Sequence, residues 1–143
     1  MCEMSVWRLS SWDPKDWTEH SEEIASAEQV AARAAELLEL YKETPNRFPG
    51  LSLEGSNAAL GSMAIGVAPI GWALFHSSED RLTQHCTRLA GADGEPLIPI
   101  EWEQETEIPR DFFIPEELAL VGLRYWLDYG KLAPALPWSN HCY

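Results

Sequence analysis

Basic side chains are scarce in this chain. Its 143 residues carry 10 Lys and Arg against 23 Asp and Glu, a formal net charge of −13 at pH 7. A field of that sign repels phosphate, so direct binding of nucleic acid or of an anionic membrane is not expected. Cysteine is scarce too. Cys2, Cys86 and Cys142 are odd in number and widely spaced, which excludes a disulfide framework and leaves free thiols in a reducing cytoplasm as the expectation. Long apolar runs are missing: no stretch approaches the ~18 residues that a membrane-spanning helix needs. The opening MCEMSVWRLSSWDPKDW has neither the basic nor the apolar part of a secretory leader. The expectation is a soluble, cytoplasmic protein. Ligand spacing is missing as well. His76, His85 and His141 form no metal-binding pattern, and neither His85-Cys86 nor His141-Cys142 belongs to a CxxC or HExxH motif. GADGEP has glycines but no lysine and no following helix, so it reads as a turn and not a phosphate loop. No metal and no cofactor are expected.

What the chain does have is enough apolar material to fold. A hydrophobic fraction of 45% and seven tryptophans outweigh the charge and exclude disorder, and the length suits one domain over residues 1–143. SAEQVAARAAELLELYKE opens with Ser26 and, three residues on, Gln29, a capping box that starts a helix near Ala27. Val30, Ala34, Leu37 and Tyr41 then repeat at helical spacing on one face. From Leu51 to about Glu107 the period becomes two, in short runs broken by Gly, Pro, Asn, Ser or Asp. Connections that short suit an antiparallel meander of about four to six strands. PEELALVGLRYWLDYG is a second helix, with Pro115 and two glutamates at its start and Gly130 at its stop. Its polar stripe is narrow, so it should be mostly buried, and the Pro-rich tail should dock through Trp138. The fold class is α+β: an antiparallel sheet flanked by an N-terminal amphipathic helix and a C-terminal buried one.

The stretch PIEWEQETEIP raises the functional question. Glu101, Glu103, Glu105 and Glu107 occupy every second position with no interleaved base. On one strand they would line one face, with Trp102 turned to the core. Neighbouring carboxylates about 7 Å apart repel by about 0.6 kcal/mol at bulk dielectric, so the row does nothing for folding. It could guard an edge strand against aggregation or be a solvated face. Lysine guards an edge equally well, so the single sign is left unexplained. A basic partner surface explains it, because complementary charge speeds capture and rejects wrong partners. Asp111, just beyond the row, belongs to the same candidate surface. A carboxylate pair of Asp111 and Glu107 for acid/base work has no cleft to support it, and catalysis is not expected.

The second half of the chain carries a resemblance. Ile114, Pro115, Glu117 and Ala119 form an IP-x-E-x-A helix start after the last strand, Gly130 ends that helix, and Trp138 follows shortly before the C-terminus. Gly71 and Ala73 sit in the central strand. From about Ser26 onward this pattern resembles the first-numbered immunity-protein family of bacterial polymorphic toxin systems; the first 25 residues, with Trp7, Trp12 and Trp17, have no counterpart in it. The resemblance implies an antidote that occludes a cognate toxin domain, often a nucleic-acid deaminase, without catalysis. Two other readings stand beside it: an acidic adaptor or scaffold module for another basic protein, and a small hydrolase.

Overall fold

The computed structural model describes residues 6–44, 47–89, 95–102, 104–140 and 142. Cys2, Glu103, His141 and most of GADGEP lie outside the described residues. Among the described residues nine strands form one sheet: β1 (Trp7–Trp12), β2 (Glu19–Ile24), β3 (Phe48–Gly55), β4 (Ser62–Ala68), β5 (Gly71–Ser77), β6 (Gln84–Thr87), β7 (Ile98–Glu101), β8 (Glu105–Ile108) and β9 (Trp138–Ser139). Helix α1 (Ala27–Tyr41) lies between β2 and β3, and α2 (Glu116–Tyr129) between β8 and β9. The main path runs β2-β1-β3-β4-β5-β6-β9, antiparallel at every step.

The α+β class is the one expected, but the strand count exceeds the expected four to six. The additional strands come from segments with little hydrophobic alternation. β2 reads EHSEEI and buries only Ile24, and β9 is two residues long. A strand that is polar on both faces leaves no period-two signal to read. β7 departs from the antiparallel meander, because it pairs in parallel with β3 at Phe48↔Ile100 and Pro49↔Glu101.

Local chemistry accounts for both helices. The Gln29 side chain accepts a hydrogen bond from the Ser26 backbone N–H at 3.1 Å, closing the capping box. Val30, Ala34, Leu37 and Tyr41 of α1 are buried together. α2 begins at Glu116, just after Pro115, and ends on Gly130 in the left-handed conformation (φ 68°), where a side chain is disfavoured. It buries one face through Ala119, Gly122, Leu123 and Trp126. Val121 and Tyr129 are exposed, the latter at 66%, so α2 lies on the surface of the core instead of inside it.

Alternation along the strands splits the apolar residues into two cores, one on each face. Both helices cover the first, which holds Leu51, Leu53, Met63, Ile65, Val67 and Leu74. Within it the Trp126 ring meets Trp7 at 4.7 Å and His76 at 5.7 Å. The second core contains Ala73, Phe75, Ile98, Ile100, Ile108 and Phe112. It is closed by β7, β8 and a 3-10 turn at Arg110–Phe112. Buried Thr87 ties this lid down: its hydroxyl donates to the Phe112 carbonyl at 2.9 Å and accepts from Leu74 N–H at 3.0 Å. Trp138 docks the tail, as expected: it packs against the first core and pairs with Thr87 of β6, while its indole N–H donates to the Ala133 carbonyl at 2.9 Å within the tail.

Cys86 and Cys142 are free and buried, and both thiols donate to the Ser139 carbonyl at 3.6 Å. Burial, with the neighbouring Cys142, pushes the Cys86 thiol well above its usual pKa, which suppresses the reactive thiolate.

Two outcomes are expected. Trp126→Ala lowers unfolding free energy by about 3–5 kcal/mol in denaturant melts; a loss below ~1 kcal/mol contradicts its place in the core. Ellman's reagent leaves Cys86 and Cys142 untouched in the native protein and titrates both in denaturant. Reductant leaves the melting temperature unchanged.

Candidate partner-binding surface

The glutamate run does not form one strand. The chain reverses at Trp102–Gln104, so Glu101 ends β7 and Glu105 opens β8 as its direct cross-strand partner. Nothing in "WEQ" resembles a turn signal. The reversal is a tertiary effect, centred on Trp102. Its indole N–H donates to the Leu51 carbonyl at 2.9 Å, and its ring meets Phe75 edge-on at 5.9 Å. It also lies so close to Gly50 that a Cβ there would stand 2.6 Å from Trp102 Cδ1. Trp102 thus packs on the second core, but from the turn after β7 and not from the single strand that period-two spacing predicts.

The expected acidic surface separates into two populations. Glu105 and Glu107 are exposed on β8, which among the described residues has β7 as its one strand partner and forms the rim of the sheet. Glu101 and Asp111 are buried and engage arginines of this chain, a correction to their assignment as exposed contacts. Arg88 Nε donates to Asp111 Oδ2 at 2.8 Å while its guanidinium lies 5.1 Å from the Phe112 ring centroid. That pairing raises the Arg88 pKa further and gives Asp111 a structural task, holding β6 to the 3-10 turn. Glu101 Oε1 is 3.7 Å from Arg47 Nη1, a loose contact, and Glu101 Oε2 accepts no hydrogen bond.

Glu101 belongs to a cluster at one end of the sheet that no sequence pattern marks. Arg47, Glu105 and Tyr41 interact with it, and Trp17 lies against both Arg47 and Tyr41. Burial raises the Glu101 pKa, Arg47 opposes the shift, and the Glu105 charge adds to it. Tyr41 donates its hydroxyl proton to the Trp12 carbonyl at 3.0 Å, and burial beside Glu101 pushes its pKa upward. Trp17 is 40% exposed and holds a left-handed backbone, φ 58°, which is rare for a bulky side chain.

Elsewhere the sheet's outer strand adds acid. β2 is an edge, and Glu19, Glu22 and Glu23 are exposed along it. His76 and His85 face each other across β5 and β6, but His76 Nε2 is engaged with the Leu60 carbonyl at 2.8 Å. Among the described residues no group of three His, Cys, Asp or Glu is placed to hold a metal. No helix there is long and apolar enough to cross a membrane. The chain matches no family model, no curated protein and no solved structure.

Two consequences can be measured. Trp102→Ala costs about 2–4 kcal/mol, since it removes a ring contact and a hydrogen bond and leaves a void over Gly50. Glu101 binds its proton more readily folded than unfolded. Its contribution to stability therefore falls as pH rises from the ordinary glutamate value of 4.5 toward the raised folded value. Glu101→Gln removes that decline, so the variant's melting temperature gains on the wild type across this window. A constant difference contradicts it.

Proposed function

We propose that this chain is a cytoplasmic immunity protein that binds a cognate basic toxin domain and occludes it without catalysis. One observation carries the reading: the acids of β2 and β8 face solvent while half of the scarce bases pair with acids of the chain. Arg33 pairs with Glu36, Lys42 with Glu39, Arg47 with Glu101, Arg88 with Asp111 and Arg124 with Glu28. These engage five of the 10 Lys and Arg residues. Each pair cancels one acid against one base, so the full net charge of −13 is left over, and a basic partner is what such a field attracts. A nucleic-acid deaminase or nuclease fits, because an enzyme that holds nucleic acid presents cationic surface. The IP-x-E-x-A helix start, realised at α2, supports the immunity reading over a general acidic adaptor.

Co-expression with the toxin domain encoded next to this gene is expected to restore growth of cells that the toxin alone arrests. Glu105→Lys with Glu107→Lys slows association with that domain by about tenfold at low salt and flattens its salt dependence, while the variant still unfolds cooperatively. Unaltered kinetics reduce the β8 glutamates to an edge guard. Failure of rescue removes the immunity reading.

A further inference from the structure

The cluster around Glu101 has the parts of a receptor for an arginine side chain, and Arg47 fills it poorly. A guanidinium is best held by an aromatic face on one side and a carboxylate that takes two parallel N–H bonds. Here the aromatic face is Trp17, with the Arg47 guanidinium carbon 5.1 Å from its centroid. The carboxylate is Glu101, whose side chain is only 9% exposed. Arg47 offers it a single contact at 3.7 Å and leaves Oε2, also buried, with no hydrogen bond. A half-satisfied buried carboxylate is costly, more so with Glu105 opposite it. The site lacks donors and has an excess of negative charge.

The loop between β1 and β2 is built to hold Trp17 in place. Trp17 N–H donates to the Asp13 carbonyl at 2.8 Å, and Asp13 N–H to the Thr18 carbonyl at 3.0 Å. Asp16 accepts from both the backbone and the hydroxyl of Thr18, at 3.1 and 2.7 Å. This network maintains the left-handed backbone that leaves a large indole partly in solvent. Strain of that kind persists where surrounding bonds over-determine it, and it clusters at ligand clamps. Arg47, by contrast, has a side chain 35% exposed.

We propose that Trp17 and Glu101 form a guanidinium-binding subsite for an arginine on the surface of a basic protein partner, with Arg47 as the internal occupant it displaces. The incoming arginine stacks on the Trp17 indole and donates to both Glu101 oxygens. Arg47 turns out to solvent. Glu105, exposed on β8, adds attraction at the entrance. Lysine is the weaker ligand, since a compact ammonium neither stacks nor forms the two-pronged pair. The subsite deepens the basic-partner reading of the previous section and rests on it.

Hexa-arginine and hexa-lysine peptides separate the two ideas, with binding to the full chain measured by calorimetry at low salt. Wild type is expected to bind hexa-arginine about tenfold more tightly than hexa-lysine. Trp17→Gly keeps the loop's path, because glycine accepts φ 58° freely, and brings that ratio to about one. Glu101→Gln does the same, while hexa-lysine affinity stays within about twofold in both variants. Arg47→Gln tightens hexa-arginine by about fivefold, since the internal competitor is gone. Should Glu101→Gln fail to melt cooperatively, exposed Trp17 carries the test alone. A ratio of about one in wild type, or one that survives both Trp17→Gly and Glu101→Gln, overturns the subsite and leaves the acidic surface standing. Unchanged or weaker binding by Arg47→Gln overturns the displacement. Binding of neither peptide overturns the basic-partner reading itself.

Discussion

The contact of Trp102 with β3 determines the shape of everything around it. The indole rests on Gly50 and donates to Leu51, which brings residues 98–101 alongside the start of β3 and turns the chain back on itself. Without that anchor, an eleven-residue period-two run favours one straight strand. With it, Glu101 is carried inward beside Arg47 and Tyr41 while Glu105 and Glu107 stay at the rim. Gly50 is what permits the approach, because any side chain there occupies the space of the ring. A backbone position on the third strand thus decides which carboxylates face solvent.

Legibility in the sequence followed the presence of a core-facing signal. α1 was readable because Ser26, Gln29 and four spaced apolar residues all agree on it, and α2 because Pro115 and Gly130 bracket it. β4 and β5 were readable from Met63, Ile65, Val67, Trp72 and Leu74, every one buried in the first core. β2 was not, since Ile24 is its only buried residue. The reversal after Glu101 was not, since it depends on what Trp102 meets 51 residues earlier. The candidate surface divides on the same line. Composition reveals its sign, but the burial of Glu101 and Asp111 and the cluster at Trp17 arise from tertiary neighbours alone.

Internal pairing changes what the net charge means. Arg88 pairs closely with buried Asp111, Arg47 reaches buried Glu101 through one loose contact, and each lies over an aromatic ring at 5.1 Å. The Arg88 charge is cancelled at short range, where Coulomb energy is strongest. Acids outnumber bases by 23 to 10, so a negative field is left over, and it extends to about a Debye length, ~8 Å at physiological salt. A partner approaching from solution meets that residue of negative charge before it meets any shape.

The acidic edge strand β2 has a further effect on crowding. A six-residue open edge is a template on which a second copy of the chain can add its own strand. Two such edges brought together antiparallel, however, set Glu19, Glu22 and Glu23 of one copy against the same three of the other. Repulsion then opposes the self-pairing that the open backbone invites, with no proline along β2 to blunt the strand. The edge therefore discriminates by charge: its backbone is open to an added strand, and its side chains oppose one of the same sign.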